Sequence, residues 1–170
     1  VMTHASNVCG TILPVCEVGA ICRRHGIPLV IDAAQTAGVV PISMEECGAA
    51  AICFTGHKGL LGPQGIGGCV LDPEFATQID ALVAGGTGSH SDSEQMPSFM
   101  PDRLEAGTPN LPGIAGLAAS LAWLGEKGID AVRGHELALT QRLLDGLRPL
   151  AAARRVRSRA FRAPRAAPAS

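Results

Sequence analysis

The chain has 170 residues, 46% of them hydrophobic, which is enough for one domain with its own core. With Gly at 21, Pro at 12, a single Trp and no Tyr, the composition suits a loop-rich α/β protein better than a helical bundle. The net charge of −1 hides a division: residues 1–147 hold all 15 acidic residues against seven basic ones, and residues 148–170 hold seven arginines and no acid. The acidic body excludes a general attraction to nucleic acid. No apolar run approaches the roughly 18 residues of a membrane span, and no basic start leads into a signal segment, so a soluble, cytoplasmic protein is expected.

In chain order, VMTH reads as the end of a strand. PVCEVGAICRRH (14–25) follows as a helix, with Val15, Val18, Ala20, Ile21 and Cys22 largely along one side and Gly26 as its stop. IPLVIDAA reads as a strand buried on both faces. A short helix around SMEECG, with Ser43 as cap, leads to a second apolar strand, AAAICF, and IGGCVL forms a third. The alternation predicts an α/β fold with a mostly parallel sheet and helices on both faces, its loops gathered at one edge where such sheets hold ligands.

Beyond residue 72, PEFATQIDALVAG predicts a short helix and a connection. GGTGSHSDSEQMPSFMPDRLEAGTPN (85–110) is a long polar loop, a length that in a compact protein points to a binding role or to disorder. LPGIAGLAASLAWLGEKG predicts a helix with small residues on its packing side. DAVRGHELALTQRLLDGLRPL predicts a more amphipathic one, with Asp130 as its cap. Residues 148–170 lose periodicity; their Arg, Ala and Pro content fits a disordered tail, an RNA-binding arm or translation of a slipped reading frame.

The six cysteines, at 9, 16, 22, 47, 53 and 69, contain no CxxC pair. Cys22, Cys53 and Cys69 lie in or beside apolar stretches and read as small buried hydrophobes in a reducing compartment. His4, His25, His90 and His135 have no metal-like grouping.

The chemistry concentrates in FTGHKGLLGPQGIGG (54–68), where one of only two lysines directly follows a buried strand among glycines. A P-loop requires Ser or Thr after its lysine, and here Gly59 follows Lys58, so the register for cradling nucleotide phosphates is absent. A lysine that bonds an aldehyde cofactor needs a nearly enclosed pocket and room for a flat ring, which fits better. Asp32 ends the strand IPLVID, where a carboxylate can meet a protonated ring nitrogen, and Gln35 lies three residues on. Thr55 and His57, bracketing Gly56, could hold a phosphate together with backbone N–H groups. Taken singly, Asp32 reads as a turn cap, Gln35 as a surface residue, Thr55 and His57 as loop residues and Lys58 as a solvated lysine; their order on two successive strand ends sets them apart.

THASNVCG, IDAAQTAG, FTGHKGLLGPQG and PDRLEAGTPN resemble successive motifs of the cysteine desulfurase family, the class-V aminotransferase-like enzymes of fold type I that use pyridoxal 5′-phosphate. Selenocysteine lyases share these motifs. The resemblance covers residues 1–147, which it identifies as the central part of the large cofactor-binding domain of a truncated member. It implies that Lys58 bonds the cofactor, Asp32 pairs with the ring nitrogen, Gln35 contacts the ring oxygen, and Thr55 and His57 hold the phosphate. It further implies that Asn7 binds the substrate carboxylate, and that Thr108 reaches the phosphate of a neighbouring subunit's cofactor, with GGTGS near the same interface. A homodimer with shared sites follows, acting on an amino acid, with L-cysteine cleaved to alanine and sulfur passed to an acceptor protein. Neither nucleic acid nor membrane is an expected partner. An aminotransferase, a selenocysteine lyase and a non-catalytic remnant share the same motifs. The family's ring-stacking amino-terminal group, its persulfide-forming cysteine and its carboxylate-binding arginine are expected to lie outside this chain.

Overall fold

The structure, a computed structural model, describes residues 1–89 and 93–154. Four strands form one sheet in the order β1 (Met2–Thr3), β2 (Leu29–Asp32), β3 (Ala49–Thr55) and β4 (Gly67–Leu71). The pairs β1–β2 and β2–β3 are parallel and β3–β4 is antiparallel, so the sheet is mixed and is flanked by helices. Because the first three strands run the same way, their carboxyl ends lie at one edge.

Helix α1 (Val15–Arg24) crosses from β1 to β2, and α2 (Met44–Cys47) precedes β3. Ser43 caps α2 as expected, its hydroxyl accepting the Glu46 N–H at 3.2 Å. The first core cluster joins Val15 of α1, Leu29 and Ile31 of β2, Cys47 of α2, and Ala49 and Ile52 of β3. The α1 stripe is narrower than its sequence suggests: Val15 and Gly19 are buried, Cys22 is half-buried, and Ala20 and Ile21 are exposed. Gly19 sits at the contact because a Cβ there would run into the Cys47 carbonyl.

Helix α3 (Pro73–Gln78) is capped by Asp72, whose carboxylate accepts from the Glu74 and Phe75 N–H groups. Helices α4 (Leu111–Lys127) and α5 (Ile129–Arg154) complete the fold. A second cluster buries Leu60 against Leu117 and Leu124 of α4, with Phe54 and Ile66 packed beside it. Among the described residues, 85–110 contain no helix or strand.

Several expectations need correction. Asp130 is not a cap, because α5 begins at Ile129 and places it in the first turn. The amphipathic reading of α5 does not produce a buried stripe: Leu137, Leu139, Leu143 and Leu147 remain exposed, since only its first turns meet α4. Cys16 of α1 and Cys47 of α2 are joined by a disulfide, a pairing that the sequence alone did not single out. Cys22 and Cys53 are half-buried, and Cys69 is exposed because β4 is an edge strand with one neighbour. α5 continues beyond residue 147 to Arg154, and residues 155–170 lie outside the described residues, as does His90. No helix among the described residues is long and apolar enough to cross a membrane.

Two turns leave the carboxyl edge and touch closely, backbone against backbone at Gly38 and Gly59, with the Val39 side chain also against Gly59. Gly38, at φ +87°, lies so close to Gly59 that an added Cβ would sit 2.2 Å from the Gly59 carbonyl oxygen. A Cβ on Gly59 would sit 2.5 Å from the Ala37 carbonyl oxygen in return. Gly26 has a similarly positive φ of +64° but nothing within 4 Å of its added Cβ. The left-handed conformation costs an L-residue about 1–2 kcal/mol, and overpacking adds about 1–3 kcal/mol. Gly26→Ala is therefore expected to lose only the first amount and Gly38→Ala both, compared by urea denaturation; equal losses would show that the backbones do not meet.

Candidate active site at the carboxyl edge of the sheet

Asp32 is the last residue of β2 and lies in register with Cys53, two residues before the end of β3 at Thr55. The Ala33 N–H continues the pairing to the Cys53 carbonyl at 2.8 Å. The Asp32 side chain is exposed, and its Oδ1 accepts the Ala34 N–H at 2.9 Å, which starts the turn through Gln35 to Gly38. This turn-capping bond occupies one oxygen; it leaves the other free to meet a cationic ring nitrogen.

The 56–66 connection between β3 and β4 carries His57 and Lys58. Its ends are tied by the Gly56 N–H to the Ile66 carbonyl at 2.9 Å, and its waist by the Gly62 N–H to the Gly56 carbonyl at 2.8 Å. Leu60, 8% exposed, anchors the loop in the cluster with α4, while His57 and Lys58 stay on the solvent side. Lys58 is thus exposed rather than enclosed, because the described residues supply the floor of a site and no wall over it. The side chains of Asn7, Gln35, Thr55, His57, Lys58 and Thr108 form no hydrogen bond or ion pair among the described residues. In contrast, the ammonium of Lys127 lies 5.6 Å from the ring centre of Trp123.

The Gly38–Gly59 contact joins the turn bearing Asp32 and Gln35 to the loop bearing His57 and Lys58. Asn7 lies in the exposed 6–11 loop that follows β1 at the same edge. Thr108 is exposed two residues before Asn110, whose Nδ2 donates to the Gly65 carbonyl at 3.2 Å while its Oδ1 accepts the Gly113 N–H at 3.0 Å and caps α4. Sequence reasoning missed Asn110 as the strut that holds the PDRLEAGTPN segment to the end of the lysine loop. An Asn before Leu-Pro was the available signal for a cap; nothing local marked its second bond.

His4 was also missed. It is 6% exposed, its N–H donates to the Asp32 carbonyl at 2.8 Å, and its Nδ1 lies 2.8 Å from the hydroxyl of Thr36, which is 1% exposed. The histidine, next after β1, therefore ties that strand's end to the start of the Asp32 turn and to Thr36 within it. Burial disfavours the imidazolium and lowers its pKa below 6.5. The unfolded chain consequently binds the proton more readily than the folded one. The stabilising effect of a neutral His4 is complete above pH 6.5 and is lost as pH falls from 6.5 toward the lower folded value. Urea midpoints measured across this window are expected to fall with pH in the native chain and to fall less in His4→Gln; parallel curves would remove His4 from that account.

Comparison with known proteins bears on the family and the fold. The family model described as aminotransferase class-V matches residues 1–166. A probable cysteine desulfurase of Pyrococcus abyssi is 37% identical over 147 residues, covering 85% of this chain and 36% of that protein. The apo structure of a cysteine desulfurase from Thermococcus onnurineus NA1 superposes with a TM-score of 0.76 at 33% identity, covering 87% of this chain and 38% of that one. A cysteine desulfurase structure from Escherichia coli superposes with a TM-score of 0.65 at 27% identity, covering 76% and 33%. The chain spans little more than a third of the length of these relatives. Sheet, helices and the match along nearly the whole sequence lead to one conclusion: the chain belongs to the class-V aminotransferase family, among whose pyridoxal-phosphate-dependent fold-type I members it is cysteine-desulfurase-like.

Proposed function

We propose that residues 1–147 form the cofactor-anchoring centre of a pyridoxal-phosphate enzyme that removes sulfur from L-cysteine, with alanine as the other product. The observation that carries this reading is the backbone contact of Gly38 with Gly59, which joins the turn bearing Asp32 to the loop bearing an unpaired Lys58 amine. The donor set fits the cofactor. It offers an amine for the aldehyde carbon, a carboxylate with one oxygen free for the ring nitrogen, and a hydroxyl and imidazole for the phosphate.

In this reading Lys58 bonds the cofactor, Asp32 faces its ring nitrogen, Gln35 its ring oxygen, and Thr55 and His57 its phosphate. When bound, pyridoxal phosphate supplies an electron sink for a substrate carbanion. Lys58, with no competing ion pair, moves the proton at the substrate α-carbon, and the Asp32 carboxylate favours the protonated ring nitrogen. Asn7 holds the substrate carboxylate. Thr108 serves the phosphate site of a second subunit in a homodimer, and the sulfur passes to an acceptor protein. None of the six cysteines of this chain is assigned the sulfur-accepting role.

The two lysines provide a direct test. The full chain is incubated with pyridoxal phosphate, reduced with borohydride, digested and mapped by mass spectrometry. Modification is expected at Lys58 and not at Lys127, with the accompanying long-wavelength absorbance lost in Lys58→Ala and weakened at least tenfold in cofactor affinity in Asp32→Ala, a loss of about 1.4 kcal/mol. Labelling of both lysines alike, or of neither, would overturn the assignment.

A further inference from the structure

Cys53 of β3 and Cys69 of β4 are cross-strand partners in the antiparallel pair. The Gly56 N–H bonds the Ile66 carbonyl and the Asp72 N–H bonds the Ala50 carbonyl. Counting inward from these hydrogen-bonded pairs by twos leaves Cys53 and Cys69 as a non-hydrogen-bonded pair, the kind whose side chains approach most closely. Their sulfurs lie 3.3 Å apart. A disulfide bond is about 2.05 Å long, so the two need to close by roughly 1.3 Å. Cys69 also borders a groove of about 660 Å³ lined by Leu71, Ala76, Thr77, Met100 and Arg103, which gives a small oxidant a path to the pair.

We propose that Cys53 and Cys69 form a redox-reactive dithiol that a peroxide closes to a disulfide across the β3–β4 pair. Cys53 gives up its proton and its thiolate attacks one peroxide oxygen; the O–O bond breaks, and the departing hydroxide takes up that proton as water, leaving a sulfenic acid on Cys53. The Cys69 sulfur then attacks the Cys53 sulfur, displacing the hydroxyl group and giving up its own proton. In total, two thiols and one hydrogen peroxide become one disulfide and two waters; the sulfurs lose two electrons and the peroxide gains them.

The order of attack follows from the environment. Although Cys69 as a residue is exposed, partial burial of its sulfur, and then its contact with Cys53, push its thiol up to about 12. Cys69 is therefore given the second step, its sulfur lying 3.3 Å from that of Cys53. The connection between the two cysteines holds Thr55, His57 and Lys58, so the bond closes the neck of that loop. The dithiol chemistry itself does not depend on the role proposed for Lys58.

The full chain is treated with hydrogen peroxide, its remaining thiols are alkylated, and it is digested without reduction. A peptide linking Cys53 to Cys69 is expected, with alkylation of the two lost in equal proportion while Cys22 stays alkylated. In Cys69→Ser the linked peptide disappears and Cys53 is trapped as its dimedone adduct. Persistent alkylation of Cys53 and Cys69 in the native chain, or linkage of either to Cys9 or to another molecule, would overturn the proposal. If the variant fails to fold, the proportions in the native chain decide the matter alone.

Discussion

Between Gly38 and Gly59 there is room for backbone and nothing else. Parallel pairing alone places the ends of β2 and β3 at one edge, but neighbouring strand ends can still send their loops apart. Here the turn after Asp32 and the loop after Thr55 are pressed together, each glycine lying against the carbonyl side of the other segment. A methyl group at either position would have to displace peptide groups already committed to their own turns. The closeness of the aspartate-bearing and lysine-bearing segments is therefore set by two missing side chains.

Around that contact the remaining bonds divide support from reactivity. Leu60 is buried under α4, Asn110 holds Gly65, and His4 with Thr36 braces the Asp32 turn from beneath. Each supporting group has partners, and among the described residues the side chain of each candidate reactive group apart from Asp32 has none. An unpaired amine on a braced loop is available for bonding without first breaking an ion pair. Its exposure has a second consequence: among the described residues both Lys58 and Asp32 face water, which screens their charges. A surface closing over the edge would bury both groups at once and bring desolvation into play.

The sequence made the local elements legible because each rests on short-range physics. The unbroken apolar runs of β2 and β3, Ser43 before a helical turn and Gly26 after one are all read within a few residues. The positions of Asp32 at the end of β2 and of Lys58 three residues beyond β3 were legible for the same reason. What escaped depends on which segments become neighbours. The apolar positions of Ile21, Leu137 and Leu143 imply burial only if something packs on them, and here nothing among the described residues does. The apolar run GGCVL suggests a core position for Cys69; its place on an edge strand is a property of the whole sheet. The disulfide of Cys16 with Cys47 and the buried His4–Thr36 pair join residues 31 and 32 positions apart, distances at which composition and period carry no information.

The same geometry explains why these motifs speak for a cofactor more clearly than for a reaction. An electron-accepting ring held by an amine, a carboxylate and phosphate ligands serves desulfuration, transamination and related lyase chemistry alike. Selection among them requires groups that meet the substrate's side chain or move its leaving group. Of the residues at this edge, Asn7 is the one assigned to substrate, and an amide that reads a carboxylate meets a feature common to all α-amino acids. In the proposed function, discrimination between a thiol and any other side chain therefore falls to groups other than Asn7, Asp32 and Lys58, whose chemistry is shared by every α-amino acid substrate.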